Sequence, residues 1–164
     1  MMTNEAKNTV STANNPQTAD ALRHIGFTST VRRRGILTNA FATQDYLVRV
    51  RTGVSRSRVD EVAVLIGLTD KEMARVLTIS ERTLHRKPAM EPLDTNMSER
   101  LIQLELLIQH GLDVFDGRKD TFARWLRAPR PSLGEVTPLS LLDTIAGFSF
   151  VDDELSRIEE GMIS

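Results

Sequence analysis

The sequence contains no cysteine. This absence excludes disulfide bonds, thiolate metal sites, iron–sulfur clusters and cysteine nucleophiles. The sequence also lacks the run of about eighteen apolar residues that a membrane-spanning helix requires, and residues 1–20 lack the apolar centre of a signal peptide. We therefore expect a cytoplasmic protein that has no membrane partner.

Recognisable catalytic motifs are absent as well. The three histidines, His24, His85 and His110, are far apart, and the chain has no zinc-protease, nucleophile-elbow, P-loop or glycine-rich dinucleotide motif. Clustered acidic residues occur only near the C-terminus, where Asp152 and Asp153 fall in the first turn of a predicted helix and are favoured there by the helix dipole. We therefore expect no enzyme, no metal site and no cofactor.

A large excess of charge of either sign is missing too, since the formal net charge is −1. Taken alone, this value disfavours a nucleic-acid-binding protein, which needs a surplus of lysine and arginine. The charges are nevertheless unevenly distributed. Residues 1–58 carry nine basic and three acidic side chains, residues 59–87 carry five of each, and residues 88–164 carry seven basic and fourteen acidic. This gradient indicates two surfaces with different partners, and the alternative is solvated charge on one domain.

The apolar spacing along the chain is that of helices. Residues 1–20 hold almost no large apolar side chains, which predicts a disordered tail. A first short helix is predicted over residues 43–51, with Thr43 as its cap and Gly53 at its end. No alternating strand pattern of any length appears. We therefore predict an all-α fold.

Three capping signals divide the middle of the chain into three short helices. Ser57 with Asp60 resembles a capping box at the start of the first helix. Thr69 with Glu72 forms a fuller capping box at the start of the second, and Ser80 is the predicted cap of the third. Tight turns are expected between them.

The second and third of these helices have the spacing of a helix-turn-helix. Ala74 is small enough to let the two helices cross closely, and Thr78 stands in the turn, where many such motifs have glycine. Four larger apolar residues are spaced to hold the two helices together: Met73, Leu77, Ile79 and Leu84.

The outer face of the third helix is polar and basic, as expected of a recognition helix. Arg82 is suited to pair with guanine and Glu81 with cytosine, while Arg86 and Lys87 are suited to phosphate. The predicted DNA-binding residues are Ser80, Glu81, Arg82, Thr83, His85, Arg86 and Lys87. Arginines at positions 32–34 and 49–58 are predicted to extend the positive surface. The alternative interpretation is a solvated helix face.

Four further helices are predicted after the turn-rich segment 88–96. The first runs over residues 98–111, from a Ser98 cap to Gly111, and its apolar residues cover more than one face, so it is buried on both sides or lies in a subunit interface. The next contains Phe122, Trp125 and Leu126. The last two are predicted from Thr137 to Gly147 and from Ser149 to Glu160.

Five stretches in order resemble the Xre/MbcA/ParS family of antitoxins. They are ISERTLHRK, MSERLIQLELLIQHGLDVF, FARWL, SLGEVTPLSLLDT and GFSFVDDELSRIEEG, and together they extend over roughly residues 45–161. The resemblance implies an Xre-like helix-turn-helix DNA-binding domain followed by a small helical C-terminal domain. With the tail at 1–20, the expected domains are 21–96, including an N-terminal extension and linker, and 97–164, for dimerisation and toxin binding.

The resemblance also implies a function. Such proteins are antitoxins of type II toxin–antitoxin systems that neutralise RES-domain toxins, which degrade or use NAD, and that repress their own operon by binding operator DNA. The expected toxin-binding residues are Glu159, Glu160, Gly161 and Ser164, whose acidic groups would occupy the phosphate site of the NAD pocket.

The apolar helix over residues 98–111 predicts a homodimer within a larger toxin–antitoxin complex, and such a dimer would read a pseudo-palindromic operator. Two alternatives remain open. One is a stand-alone helix-turn-helix repressor whose C-terminal domain dimerises or senses a ligand. The other is a helical adaptor that never touches DNA.

Overall fold

The computed structural model describes residues 40–161 and the side chains of residues 44–161. The predictions for the tail at 1–20, for the arginines at 32–34 and for Ser164 lie outside these residues. Within the described stretch every regular element is helical, which confirms the all-α prediction. Between residues 40 and 161 the elements are α1 (Ala40–Thr52), α2 (Ser57–Ile66), α3 (Asp70–Val76), α4 (Glu81–Arg86), α5 (Thr95–Val114), α6 (Lys119–Arg127), a 3-10 helix (Pro131–Leu133), α7 (Pro138–Leu141) and α8 (Ile145–Glu159).

The central helix of the fold is α5. It packs against α1 and α8 and also contacts α2 and α6. Of the two environments that its sequence allowed, burial by neighbours of the same chain is the one found in the described residues. The apolar side chains that these neighbours bury include Leu101, Ile102, Leu104, Leu107, Ile108 and Leu112.

Both predicted ends of α5 were wrong. Asp94 caps the helix, since its carboxylate accepts a hydrogen bond from the backbone N–H of Met97 at 2.9 Å, whereas Ser98 is buried inside the first turns. Gly111 lies within the helix rather than after it. A Cβ at this position would collide with the ring of Phe122, so the glycine permits a close approach of α6 and does not end a helix.

Two helix starts in the N-terminal part also differ from the predictions. α1 begins at Ala40, so that Thr43 lies inside it. α2 begins at Ser57, but its capping residue is Arg56, which makes no side-chain capping bond. The apparent capping box of Ser57 and Asp60 is therefore not one.

The caps of the helix-turn-helix itself are confirmed. Thr69 and Glu72 form a reciprocal capping box at the start of α3. Ser80 caps α4, where its hydroxyl accepts a hydrogen bond from the backbone N–H of Thr83 at 3.1 Å. These two caps fix the starts of both helices, and Leu84 of the second helix packs in the core.

The C-terminal helices divide differently from the prediction. Thr137 caps α7 as expected, but α7 ends after one turn and Thr144 then caps α8. Gly147 therefore lies in the first turn of α8, where a Cβ would collide with the carbonyl group of Leu141. The predicted single helix from Thr137 to Gly147 and the start at Ser149 were both wrong, because this glycine also marks a close approach.

A continuous hydrophobic core joins the two ends of the described chain. It includes Met73 and Leu84 of the helix-turn-helix, Leu104 of α5, Trp125 of α6 and Leu155 of α8. Residues that precede α5 in the chain and residues that follow it thus share one hydrophobic core. None of the helices between residues 40 and 161 has the length and apolar character needed to cross a membrane.

Candidate functional site

The outer face of α4 brings the predicted DNA-binding residues together. Leu84 is its only buried side chain and anchors the helix to the core. Lys87, just after the helix, is half-buried. The remaining six are exposed: Ser80, Glu81, Arg82, Thr83, His85 and Arg86.

Two arginines on this face are available to a ligand. Neither Arg82 nor Arg86 has a hydrogen-bond or ion-pair partner within residues 44–161. His85 differs, since its Nε2 lies 3.2 Å from a carboxylate oxygen of Asp70 in α3. Lys87 is also engaged, with its Nζ 3.2 Å from Glu91. The α4 face therefore offers two unpaired guanidinium groups to a partner.

The turn between α3 and α4 is left-handed at Thr78, which has φ 56°. The backbone N–H of Ile79 donates to the carbonyl oxygen of Ala74 at 2.9 Å across this turn. A positive φ is unusual for a β-branched residue, and glycine adopts it without steric cost. This geometry explains why many helix-turn-helix motifs carry glycine at the same place.

Arg56 supports α4 from behind. It is only 8% exposed, and its Nε donates to the carbonyl oxygen of Leu84 at 3.0 Å. Its second contact is an ion pair at 2.7 Å with Asp60. Carbonyl groups in the last turn of a helix lack helical partners, so the guanidinium satisfies one of them and matches the negative end of the helix dipole. Sequence reasoning placed Arg56 on the surface and missed this role.

The predicted extension of the positive surface by arginines at 49–58 was wrong for Arg56 and Arg58. Arg58 is buried and its Nε donates to Glu105 at 2.6 Å, while Arg49 donates to the other oxygen of the same carboxylate at 2.9 Å. Two of these arginines are thus buried in ion pairs: Arg58 with the buried Glu105 of α5, and Arg56 with Asp60 of α2. Arg51 remains exposed.

Two arginines tie the helix-turn-helix to the C-terminal helices. Arg75 donates to the carbonyl oxygen of Ser140 at 3.1 Å and to the carboxylate of Asp143 at 3.2 Å. Arg100 donates from one nitrogen to the carbonyl oxygens of Val76, at 3.3 Å, and of Asp143, at 3.2 Å. The end of α3 and the start of α8 are therefore held in fixed relation.

At the opposite end of α8 lie the predicted toxin-binding residues. Glu159, Glu160 and Gly161 are exposed there, and Gly161 turns the chain with φ 72°. Ser164 lies outside the described residues. Asp152 is in the middle of α8, so the prediction that it and Asp153 occupy a first turn was wrong.

His110 of α5 holds this end of α8. Its Nδ1 lies 2.7 Å from Asp152, and its Nε2 lies 3.7 Å from Glu159. Burial lowers the pKa of His110, but the hydrogen bond and charge of Asp152, with the charges of Glu159 and Asp113, outweigh this effect and raise the pKa above its ordinary value. The histidine therefore helps to fix the position of the acidic helix end.

The outward side of α8 also exposes apolar surface that the sequence analysis did not single out. Phe150 is 55% exposed and Ile145 is 49% exposed. Between them Ala146 and Ser149, which have small side chains, are also exposed. Exposed aromatic residues of this kind are typical anchors of protein interfaces.

Comparisons with known proteins match both halves of the chain. A family described as the antitoxin Xre-like helix-turn-helix domain matches residues 45–105. A second, described as the antitoxin Xre/MbcA/ParS C-terminal toxin-binding domain, matches residues 110–161. The two matches meet within α5.

Individual relatives give the same result. The chain is 40% identical over 113 residues to "Antitoxin Xre" of Photorhabdus laumondii subsp. laumondii, which covers 68% of this chain and 76% of the relative. It is 32% identical over 121 residues to "Prs ADP-ribosylating antitoxin" of Sphingobium sp., with the same two coverages. An "Antitoxin Xre" of Yersinia enterocolitica is 28% identical over 116 residues, which covers 70% of this chain and 78% of the relative.

Proposed function

The chain belongs to the Xre/MbcA/ParS family of antitoxins, and on this premise we propose that it binds and blocks the NAD site of a cognate RES-domain toxin and represses its own operon. The toxin would bind residues 97–164 and operator DNA would bind the helix-turn-helix within residues 21–96. The protein would act by binding and not by catalysis. The observation that carries the proposal is that both halves of the chain match antitoxin families, one of them described as toxin-binding.

The α4 face supports the DNA-binding part of the proposal. Its two unpaired arginines stand on a helix whose start is capped by Ser80 and whose end is held by Arg56. Arg82, in the first turn, is placed to meet base edges, and Arg86 to meet phosphate. Replacing Arg82 by Ala should cost about 1–3 kcal/mol of specific binding to the DNA upstream of the gene. Toxin neutralisation should be unchanged, and loss of both activities together would contradict the separation of the two surfaces.

The end of α8 supports the toxin-blocking part. Glu159 and Glu160 are exposed, and their carboxylates would complement a toxin site that binds the phosphates of NAD through basic side chains. Deletion of residues 159–164 should therefore abolish neutralisation while the remaining chain stays folded. The measurement is co-purification with the product of the neighbouring gene, followed by an assay of NAD consumption. Full neutralisation by the deleted form would exclude the acidic end as the blocking element.

Phe150 gives a sharper test of where the toxin binds. A residue that is a hot spot of a protein interface contributes about 2 kcal/mol or more, and we expect Phe150 to be one. Phe150→Ala should therefore weaken the toxin complex by more than about tenfold. A matched control is Val64→Ala in α2, because Val64 is also exposed and apolar but lies outside the segment matched as toxin-binding. Equal affinity of the two variants would exclude Phe150 from the interface.

A homodimer remains part of the proposal, but α5 does not support it. Its apolar residues are buried by α1, α2, α6 and α8 within one chain, so a dimer interface would use other surfaces. Two recognition helices related by a twofold axis would read half-sites about one helical turn apart. Light scattering of the purified chain, alone and with operator DNA, measures the number of copies directly, and a monomer in both conditions would rule the dimer out.

A further inference from the structure

Basic residues reappear in the acidic C-terminal half of the chain. Residues 88–164 contain seven basic side chains, and five of them fall within residues 118–130, where Asp120 is the only acid. The five are Arg118, Lys119, Arg124, Arg127 and Arg130. This local excess of positive charge is not explained by the acidic end of α8, which is the surface proposed to bind the toxin.

The fold gathers much of this charge on the outer face of α6. Phe122, Trp125 and Leu126 are buried, so the opposite side of the helix, with Arg124, faces outward, and Lys119 is exposed at the start of the helix. An open concavity of about 370 Å³ lies on this side and is lined by Asp120, Ala123, Arg124, Arg127 and Ala128. Of the two arginines in this lining, Arg124 is exposed and Arg127 is held by Glu72.

The outer face of α6 adjoins the helix-turn-helix directly. Arg127 donates to both carboxylate oxygens of Glu72, at 3.0 and 2.8 Å, and to the carbonyl oxygen of Gly67 at 2.8 Å. Glu72 lies in the first turn of α3, and Asp70 of the same turn contacts His85 of α4 at 3.2 Å. A chain of contacts therefore runs from the recognition helix through the start of α3 to α6.

Arg124, three residues before Arg127, and Lys119, at the start of α6, are exposed, and neither has an ion-pair or hydrogen-bond partner within residues 44–161. In a bound helix-turn-helix, the first helix crosses the sugar-phosphate backbone while the second lies in the major groove. A cation next to α3, the first helix of the motif, is therefore placed to contact phosphates on either side of the base pairs that α4 contacts.

We propose that the outer face of α6 is a second nucleic-acid contact, in which Arg124 and Lys119 bind the sugar-phosphate backbone of duplex DNA next to the site read by α4. This inference rests on the proposed DNA-binding function and extends it into the segment matched as toxin-binding. The contact is independent of sequence because phosphates carry no base identity. Arg127 is a positioning residue, since its ion pair with Glu72 fixes α6 against α3.

The test is the salt dependence of binding by the full-length chain. Two duplexes of equal length are used, one from the region upstream of the gene and one of scrambled sequence. Each phosphate contact contributes a slope of about −0.9 to a plot of log affinity against log salt concentration. Arg124→Gln should reduce this slope by about 1, and Arg124→Gln with Lys119→Gln by about 2, on both duplexes alike. Arg124→Lys, which keeps the charge, should retain most of the slope.

Arg157→Gln is the matched control, because it removes one exposed arginine from α8 instead of α6 and should leave the slope unchanged. An unchanged slope in the Arg124→Gln variant would overturn the inference while leaving DNA binding by α4 intact. A weaker toxin complex with an unchanged slope would also overturn it and would assign α6 to the toxin. Wild-type protein that binds neither duplex would instead refute the proposed DNA-binding function itself.

Discussion

The buried carboxylate of Glu105 allows the contribution of buried arginine ion pairs to stability to be measured. Its side chain has no exposed surface, and it accepts charge-assisted hydrogen bonds from Arg58 at 2.6 Å and from Arg49 at 2.9 Å. Removing one partner of a buried ion pair typically costs about 3–5 kcal/mol, because the remaining charge is left in a poorly solvating environment. Glutamine keeps one acceptor oxygen, so for Glu105→Gln we expect a loss of about 3 kcal/mol in the free energy of unfolding.

For a chain of this length, this loss corresponds to a decrease in Tm of roughly 6–12 °C. Urea unfolding followed by circular dichroism measures the loss of free energy, and thermal unfolding measures the decrease in Tm. The control is Glu61→Gln, which removes a bond of 2.7 Å to the same Arg58 but at a side chain that is 51% exposed. Exposed pairs contribute less than about 1 kcal/mol. The reasoning would be refuted if the two variants were equally stable.

A double variant separates the cost of an unpaired charge from that of lost packing. Arg58→Met with Glu105→Leu replaces the buried pair by apolar side chains of similar length, which is often neutral for stability. We expect this variant to recover most of the loss seen in Glu105→Gln. Its DNA-binding salt slope should equal that of the wild type, since Arg58 is buried and does not reach a ligand. A reduced slope would show that Arg58 contacts DNA.

Three further perturbations have defined outcomes. Gly111→Ala should destabilise the chain by about 1–3 kcal/mol in thermal unfolding, because the added methyl group overpacks against Phe122; an unchanged Tm would show that the ring has room to move. Thr78→Gly should raise the free energy of unfolding by up to about 1 kcal/mol, as glycine relieves the positive φ, and a loss of stability would contradict the strain. His110→Gln should remove a pH-dependent stabilisation. Contact with Asp152 raises the pKa of His110 in the fold. The free energy of unfolding of the wild type should therefore exceed that of the variant most below about pH 6.5, and this difference should shrink as the pH rises through the folded-state pKa. Urea unfolding at several pH values in this range measures the difference. A difference that does not change with pH would contradict the proposed role of His110.

Local signals in the sequence were sufficient for the helical class and for the helix-turn-helix. The capping box of Thr69 and Glu72, the Ser80 cap and the apolar positions around Ala74 depend only on neighbours a few residues away. For this reason spacing alone predicted them. The polar outer face of α4 follows from the same local pattern, because the side of a short helix opposite its buried Leu84 must face outward.

The errors arose where a residue's role depends on a distant partner. Gly111 and Gly147 were interpreted as helix ends, but each is small because another segment approaches its backbone. Arg56 and Arg58 were interpreted as surface charge, but their partners include Leu84, 28 residues away, and Glu105, 47 residues away. A single sequence contains no record of such pairings. The one available signal was Glu105 itself, an acid within an otherwise apolar stretch.

The arrangement around α5 limits how proteins of this architecture can exchange parts. Arg100 joins the end of α3 to the start of α8, and apolar side chains of α5 pack with residues from both halves of the chain. A recombination that took the helix-turn-helix from one parent and the C-terminal helices from another would place unmatched side chains on either side of this helix. New specificities are therefore expected to accumulate by substitutions on the outer faces of α4, α6 and α8, with the shared interior unchanged.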